Sequence, residues 1–404
     1  MNKKISVGAM IAAVAVAVAI TFCVTVNAMT ERFDRQLGEV QEMKGTYEKM
    51  REIDNTVAQN AYYTVTDTLR DDNIGRAYAA ALQEAGDRYA YYMTAEEYAA
   101  REEASAGQSD GFGIVVRKDS GDTMLITQVI HGSPAFDAGL RPADIVLSIA
   151  DGEGSVLASG PYDKLAAVLQ NVSGPVTLTV LRGEEEKTFS VTPGNYTVDS
   201  AYVQRVGNTA VVHITAFNAD TDEQFLSLIN GIAFDEDVTG IVFDLRQNGG
   251  GLLASVVNML DRLLPEGIIV TEKDRSGKET ARFTSDATSL NLPMAVLVDD
   301  ATASAAELFA CALRDYGKAK LVGTATYGKG CVQTTYTFPD GSALCFTTAL
   351  YYPPASDNFD GTPLAPDVAV TLSEEEKQKF YSLTEKTDPQ LAAALELVRP
   401  HPVS

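Results

Sequence analysis

The chain has 404 residues, of which 45% are hydrophobic, and a formal net charge of −23 at pH 7. This length allows two or three domains, and the hydrophobic fraction is sufficient for a sizeable buried core. The strong negative charge, without a cluster of Lys and Arg between aromatic residues, argues against nucleic acid as a partner.

The N-terminus carries a positive flank followed by an apolar segment. Lys3 and Lys4 precede an uncharged run, Ile5–Thr30, made mostly of Ala, Val and Ile. This pattern is typical of a single membrane-spanning anchor or of a signal peptide, and Val26-Asn27-Ala28 resembles a small-x-small cleavage site. We therefore expect residues 1–29 to anchor the protein in the cell membrane with its remainder extracytoplasmic, or to be cleaved so that the protein is secreted.

The region 30–107 is rich in Ala, Glu and Tyr and has helical character. Within it, Ala77–Ala85 favours a helix most strongly. Glu31–Arg51 fits a short coiled coil that would support a homodimer, and it fits an exposed linker helix equally well. The sequence thus predicts an N-terminal helical region and leaves the oligomeric state open.

Residues 108–194 consist of short strand-like runs separated by glycine turns, with one helix-like run at Tyr162–Leu169. The segment Gly111-Phe112-Gly113-Ile114 opens this module. Gly132-Ser133-Pro134-Ala135 follows its second strand-like run. The pattern predicts a small β-rich domain.

Strand-like and helix-like runs alternate through the region 195–372. The strand-like runs are Ala210–Thr215, Gly240–Leu245, Met294–Val298 and Lys320–Gly323, and the helix-like runs are Asp220–Ala233, Leu252–Leu264 and Ala303–Tyr316. This alternation predicts an α/β fold with a mostly parallel sheet, in which functional groups gather at the carboxyl ends of the strands. A helical segment at 373–404 is expected to pack on this body.

A glycine-rich turn follows the second of these strands. Asp244-Leu245-Arg246-Gln247-Asn248 leads into Gly249-Gly250-Gly251 and then into a helix-like run. A strand, glycine turn and helix in this order also occur in phosphate-binding loops. No Lys-Ser or Lys-Thr follows these glycines, so that interpretation is weak.

Ser304 follows the apolar strand Met294–Val298 and precedes a helix-forming run, so its hydroxyl would lie at a strand-to-helix turn. Unpaired backbone N–H groups at a helix start can stabilise an oxyanion, which makes Ser304 a candidate nucleophile. Ser304 followed three residues later by Glu307 also fits a capping box, in which the serine has only a structural role. Spacing alone leaves both interpretations open.

Lys329 lies between Gly328 and Gly330, and Gln333 follows four residues later. A lysine acts as a base for a serine only if its pKa falls from about 10.4 toward about 7 to 8, which burial can achieve. Gln333 could orient the amine through its side-chain carbonyl. The alternatives are a solvated turn lysine and a glutamine on an exposed strand face.

Few histidines are present to replace Lys329 as the base. His131 belongs to the β-rich module, His213 lies inside an apolar strand-like run, and His401 is among the last four residues. A Ser-His-Asp triad is therefore poorly supported.

Three cysteines follow the apolar segment: Cys311, Cys331 and Cys345. An odd number cannot all pair within one chain, and their spacing does not form a metal-ligand cluster. Cys331 and Cys345 flank a predicted hairpin and could face each other. We expect no metal and no cofactor.

The motifs around Ser304, Lys329 and Gln333 resemble those of the carboxyl-terminal processing, or tail-specific, serine proteases of peptidase family S41. The resemblance extends from about Ala85 to Leu372 and includes the Asp244 to Gly251 turn. It implies a ClpP/crotonase-like α/β core in which Ser304 is the nucleophile, Lys329 the general base and Gln333 its support. It further implies that the backbone N–H groups of Gly250 and Ala305 form the oxyanion hole.

The β-rich module 108–194 resembles a PDZ domain. Ser133-Pro134-Ala135 followed by Ala138-Gly139-Leu140 is the most specific part of this resemblance. PDZ domains add an extended peptide to a sheet edge and hold its terminal carboxylate with backbone N–H groups. The resemblance assigns that role to Gly111, Phe112, Gly113 and Ile114.

We therefore expect an exported serine endopeptidase that cleaves polypeptides near free C-termini, recruited by the PDZ domain. A non-catalytic PDZ scaffold, in which Ser304 only caps its helix, is the main alternative. An acyl-coenzyme-binding protein on a related α/β core is a third, and the export signal and PDZ domain argue against it.

Overall fold

The computed structural model describes residues 21, 22, 25, 26, 29, 30, 47–119 and 121–399. The chain divides into two compact units, residues 1–73 and residues 74–404. The predicted membrane segment, 1–29, and the predicted coiled coil lie largely outside the described residues. Within the part that is described, no helix is both long and apolar enough to cross a bilayer. The finer domain boundaries at 107, 194 and 372 stay predictions.

Helices form the N-terminal region, cover the faces of the main sheet and end the described chain. They are α1 (47–60), α2 (Asp67–Glu84), α3 (Ala95–Ser105), α4 (Pro134–Asp137), α5 (Tyr162–Asn171), α6 (Thr221–Phe234), α7 (Leu253–Asp261), α8 (Ala305–Asp315), α9 (Glu374–Gln378) and α10 (Pro389–Val398). Among the helices that begin with a capping box are α3, with Thr94 and Glu97, and α9, with Ser373 and Glu376. These pairs satisfy backbone N–H groups that a helix start leaves without partners.

Strands occupy most of the chain between α3 and α9. They are β1 (Tyr91–Met93), β2 (Gln108–Gly111), β3 (Ile114–Lys118), β4 (Met124–Val129), β5 (Ile145–Asp151), β6 (Val156–Ser159), β7 (Val176–Arg182), β8 (Glu185–Val191), β9 (Gly194–Thr197), β10 (Ala201–Val206), β11 (Thr209–Ile214), β12 (Gly240–Asp244), β13 (Gly267–Lys273), β14 (Glu279–Ser285), β15 (Met294–Val298), β16 (Ala319–Gly323), β17 (Cys331–Thr337), β18 (Ala343–Tyr352) and β19 (Val368–Ala369). The alternation of strand and helix in the second half confirms the predicted α/β class.

The β-rich module forms its own antiparallel sheet in the order β3-β4-β5-β7-β8, with β6 paired to β5. Helix α5 covers this sheet and buries Leu165 completely. Its core is separate from the core of the α/β body and includes Met124, Ile149 and Leu178. Apolar residues on one face of each strand stabilise the packing of the helix on the sheet, because burial removes their surface from water.

The α/β body is a six-stranded sheet in the order β10-β11-β12-β15-β16-β19. From β11 to β19 the neighbouring strands are parallel, and β10 adds an antiparallel edge. Side chains alternate between the two faces along each strand, so Phe243 packs toward α6, α7 and α8 while Val242 packs toward α10. Every residue of β12 and β15 is buried, as expected of strands covered on both faces.

A second, antiparallel sheet lies against this body in the order β1-β18-β13-β14, with β17 paired to β18. The β17–β18 hairpin was predicted. Strand β1 was not, since Tyr91–Met93 lies in the region predicted to be helical and is too short to show a period. It forms because it pairs with β18, and because Asp87 accepts hydrogen bonds from the backbone N–H of Thr347 (2.7 Å) and its hydroxyl (2.9 Å).

The β-rich module meets the α/β body at a stack of aromatic rings. The imidazole of His131 lies 4.1 Å from the ring of Tyr202, which lies 4.8 Å from the imidazole of His213. His131 Nδ1 is also 2.7 Å from Asp199 Oδ2. Neither His131 nor His213 lines the cleft that contains Ser304, which agrees with the weak support for a histidine base.

Arg246 ties the end of β12 to the C-terminal segment. Its guanidinium donates to both carboxylate oxygens of Asp244 (2.9 and 2.7 Å) and lies 2.8 Å from Asp388, with only 5% of its side chain exposed. Burial alone would raise the pKa of Asp244, but the contact with Arg246 outweighs burial and holds that pKa below its usual range.

We predict that Arg246→Met lowers the free energy of unfolding at pH 7 by about 3 to 5 kcal/mol, because it leaves two buried carboxylates without their cationic partner. Arg205→Met is the control, since the Arg205–Asp235 pair has 38% and 43% of its side chains exposed. That exposed pair should contribute at most about 1 kcal/mol. Urea unfolding of both variants followed by circular dichroism measures the difference.

The loss of unfolding free energy caused by Arg246→Met should become smaller at low pH. A depressed carboxyl pKa stabilises the fold above the unfolded value of about 3.9 and loses that contribution as the pH falls below it. The deficit of Arg246→Met should therefore stay nearly constant from pH 7 to about pH 4 and shrink as the pH falls further. A deficit as large at pH 3 as at pH 7 would contradict the ionic account.

Candidate active site

Ser304 lies in the turn that joins β15 to α8. Before it, the Asp299 carboxylate accepts hydrogen bonds from the backbone N–H groups of Ala301 (3.1 Å) and Thr302 (3.0 Å). The Thr302 hydroxyl donates to the carbonyl of Leu245 at the end of β12 (2.9 Å). These bonds connect two neighbouring strand ends and fix the turn before the helix begins.

The backbone of Ser304 has φ 57° and ψ −119°, a conformation that non-glycine residues rarely adopt. The helix N-caps Thr94 and Ser373 both have φ −63°, in the extended region usual for a cap. Ser304 therefore begins its helix in a different way from these two residues. A strained serine between a strand and a helix is typical of a nucleophile turn.

The carboxylate of Glu307 organises the site. It accepts hydrogen bonds from the backbone N–H groups of Ser304 (2.9 Å), Gly328 (2.7 Å) and Lys329 (2.8 Å), and from the hydroxyl of Thr326 (2.5 Å). The Glu307 side chain is completely buried. The bond to Ser304 is the return half of the predicted capping box. The other three bonds hold the loop that carries Lys329 beside the turn that carries Ser304.

The amine of Lys329 is held by a short chain of contacts. Nζ donates to Gln333 Oε1 (2.6 Å), and Gln333 Nε2 donates to the carbonyl of Tyr89 (2.8 Å). The Tyr89 ring centroid lies 4.7 Å from the same amine, and burial raises the pKa of this tyrosine to about 12. The predicted support of Lys329 by Gln333 thus exists as a direct hydrogen bond.

The glycine turn packs against the serine turn. Gly250 has φ 101°, and a Cβ there would lie 3.0 Å from Ser304 Cβ and 3.1 Å from the Ala305 nitrogen. Only glycine fits such a position. The N–H of Ala305 has no acceptor within the described part of the chain, whereas the N–H of Gly250 donates to Asn248 Oδ1 (2.8 Å). One of the two predicted oxyanion donors is therefore open and the other is engaged.

Ser304, Lys329, Gln333 and Gly250 line one cleft of about 820 Å³. Ala305 is buried next to Ser304. The predicted core of the site is thereby brought together from three separate segments of the chain. In the described residues no hydrogen bond links the Ser304 hydroxyl to Lys329, whose amine is directed to Gln333.

The predicted carboxylate-binding loop, 111–114, is in the β-rich module between β2 and β3. Gly111 and Gly113 have φ 111° and 76°. The carbonyls of Phe112 and Gly113 accept from Ala135 N–H (3.0 Å) and Ile130 N–H (2.9 Å). The N–H groups of Phe112 and Gly113 have no acceptor among the described residues, which leaves two donors for an anion.

Sequence reasoning missed several residues that build the site. It treated Glu307 only as a cap and did not assign Tyr89, Asn248 or Thr326 to the site. Arg88 donates to the carbonyl of Gly328 (3.2 Å). An acidic residue in the apolar first part of a helix-forming run was the signal that could have pointed to Glu307.

The three described cysteines are free and buried. In the β17–β18 hairpin, Cys331 lies opposite Leu350 and Cys345 opposite Thr335, so the two do not face each other. The suggestion that Cys331 and Cys345 could face each other is therefore wrong. The reason is register, because the turn at Phe338–Ser342 sets the pairing of the two strands and leaves the two cysteines several residues apart along the ladder.

Comparison with known proteins agrees with this architecture. Residues 208–370 match the model of peptidase family S41, and residues 100–181 match the PDZ domain model. A Staphylococcus aureus protein described as "Probable CtpA-like serine protease" is 32% identical over 332 residues, which cover 80% of this chain and 64% of that protein. A Staphylococcus epidermidis protein of the same description is 32% identical over 295 residues, 72% of this chain and 59% of that protein.

The chain thus spans slightly less than two thirds of the length of these curated relatives. The crystal structure of a putative S41 protease from Bacteroides fragilis has a TM-score of 0.55 at 17% identity, covering 83% of this chain and 98% of that one. At this sequence identity the similarity shows a shared fold alone. By sequence, the chain belongs to peptidase family S41 and carries a PDZ domain.

We predict that Glu307→Ala lowers the free energy of unfolding by more than about 3 kcal/mol, because it leaves three backbone N–H groups near the cleft without their acceptor. Glu97→Ala is the matched control: Glu97 closes the capping box of α3 by accepting the Thr94 N–H (2.8 Å), and it is exposed. Glu97→Ala should lower the free energy of unfolding by about 1 kcal/mol or less. Equal losses in urea unfolding would show that Glu307 is only a cap.

Proposed function

We propose that this chain is an exported serine endopeptidase that cleaves polypeptides near their C-termini with a Ser304–Lys329 dyad. The observation that carries the proposal is the pair of bonds by which the buried Glu307 holds the Ser304 turn and the Lys329 loop together in one cleft. A helix cap alone would require only the first of these bonds.

In this mechanism the Ser304 hydroxyl attacks the carbonyl carbon of a peptide bond while the unprotonated Lys329 amine takes the hydroxyl proton. The tetrahedral intermediate collapses, the C–N bond breaks, and the leaving amine receives that proton from Lys329. Water then attacks the acyl-enzyme and gives its proton to Lys329. Release of the new carboxyl terminus returns that proton to Ser304.

Gln333 and Tyr89 are the positioning residues for the amine. Their contacts keep Nζ within the cleft without giving it a carboxylate partner, which would hold the proton on the amine. For catalysis the amine turns from Gln333 toward Ser304. The aliphatic stem of Lys329 permits this movement by rotation alone.

The oxyanion is received by the open N–H of Ala305 and by the N–H of Gly250 once a substrate carbonyl competes with Asn248 Oδ1. Both groups belong to turns that are rigid before substrate arrives, so little reorganisation is needed when charge develops. Without substrate the Gly250 N–H is bonded to Asn248, and we expect the substrate carbonyl to take the place of Asn248 as its acceptor.

The PDZ domain recruits the substrate through its free carboxylate, which the N–H groups of the 111–114 loop bind. The export of the catalytic region rests on Lys3, Lys4 and the apolar run after them. A homodimer stays a prediction from the sequence. The alternative of a non-catalytic PDZ scaffold is favoured by one observation, that the Lys329 amine bonds to Gln333 and not to Ser304.

We predict that the full chain hydrolyses an unfolded protein with a free C-terminus and that Ser304→Ala lowers the rate at least about a thousandfold. Lys329→Ala should lower it about 100- to 10,000-fold, the usual contribution of a general base. Cleavage is followed by gel electrophoresis and by the mass of the products.

Two controls separate chemistry from structure. Ser373→Ala removes another serine N-cap, that of α9, and Lys320→Ala removes an exposed strand lysine. Both should leave the rate unchanged. Hydrolysis that survives Ser304→Ala would refute the assigned nucleophile, and tail binding without hydrolysis by the parent would favour the scaffold.

We also predict that amidation of a peptide's C-terminus weakens its binding about 10- to 100-fold, because charge-assisted hydrogen bonds to the loop are lost. Gly113→Ala should weaken binding of the free peptide, since a Cβ at this left-handed position meets Ser133. Gly183→Ala is the control, with φ 64° and open space. Equal affinity for free and amidated peptides, by fluorescence anisotropy, would contradict carboxylate recognition.

A further inference from the structure

Glu272 is a charged residue of the cleft to which the proposed reaction gives no role. It lies on β13 directly opposite Tyr351 of β18. Residues paired across neighbouring strands project to the same face of a sheet, so Glu272 shares a face with Tyr351 and with Gln333, which lies opposite Thr347 farther along β18. All three line the cleft that contains Ser304.

The Glu272 carboxylate has no salt bridge and no side-chain hydrogen bond within the described part of the chain. It is partly buried, and this burial raises its pKa above the ordinary value. The cations of the cleft are directed elsewhere: Lys329 bonds to Gln333, and the Arg101 guanidinium lies 5.2 Å from the centroid of the Tyr91 ring. The cleft therefore contains a carboxylate without a partner.

Apolar side chains form part of the wall of the cleft that contains this carboxylate. They include those of Phe217, Leu252, Leu253, Val332 and Tyr351. Apolar walls bind the methylene stem of a long side chain, and a carboxylate at hand binds a cationic end group. Lysine and arginine side chains combine these two features.

We propose that Glu272 is a specificity residue that selects substrates with a Lys or Arg side chain close to the bond that is cleaved. This inference rests on the proposed peptidase function and names a substrate class for it. An incoming cation would satisfy a partly buried charge that is otherwise unpaired, while an acidic side chain would meet a like charge in the same space.

The test uses alanine-rich decapeptides with free C-termini and an internally quenched fluorophore pair. Single Lys, norleucine or Glu residues are placed in turn at each of the central positions. At one of these positions the full chain should prefer Lys to norleucine in kcat/KM by about 10- to 100-fold, the value of a charge-assisted contact. Glu should be disfavoured at that position.

Glu272→Gln keeps the shape of the side chain and should bring the Lys-to-norleucine ratio close to 1, while Glu272→Lys should favour Glu. Glu102→Gln is the control, because Glu102 also lines the cleft but is exposed on α3. It should leave the ratio unchanged. An equal ratio in the parent and Glu272→Gln would overturn the assignment.

Binding to the Ser304→Ala variant separates this inference from the proposed activity. Fluorescence anisotropy of the same peptides, labelled at the N-terminus, requires no hydrolysis. A Lys preference in binding that Glu272→Gln removes would support the specificity role even if the parent cleaves nothing. Cleavage by the parent without a Lys preference at any position would overturn the specificity role and leave the peptidase proposal intact.

Discussion

The site depends on one buried carboxylate. Glu307 accepts backbone N–H groups from the Ser304 turn and from the Lys329 loop, which lie on opposite sides of β16 in the chain. Backbone amides buried away from water are costly when unpaired, so one acceptor between two loops fixes both at once. The helix residues from Ala305 to Leu313 are all buried, and Glu307 is the charged residue among them. The separation of serine and lysine is thus set by the backbone.

A second layer of support comes from the chain before the PDZ domain. Tyr89 accepts the Gln333 amide and places its ring beside the Lys329 amine, while β1 and Asp87 bind the same segment to β18. The stack of His131 on Tyr202 connects the PDZ domain to the edge strand of the α/β sheet. The PDZ domain is therefore inserted between two segments that both pack against the body that contains the cleft.

The charged side chains of the protein differ in the partners that surround them. Lys329 has an amide acceptor and an aromatic face as its partners, whereas Glu272 has no partner of its own in the described residues. Arg246, by contrast, is surrounded by carboxylates and serves the fold. Buried charges with matched partners are structural, and those left without one are the groups that a ligand can satisfy.

The sequence by itself determined the α/β class, the β-rich module and the strand-to-helix turn at Ser304, because these follow from local periodicity and turn residues. The pairing of Lys329 with Gln333 was open on spacing alone and was implied by the family resemblance. Tertiary structure alone decided the rest. Strand β1 has no period of its own and forms by pairing with β18. The register of Cys331 and Cys345 is set when β17 and β18 pair, and Gly250 packs against the positive-φ turn at Ser304. The role of Glu307 beyond capping requires a loop about twenty residues away to fold back onto it, and such long-range contacts leave no local pattern.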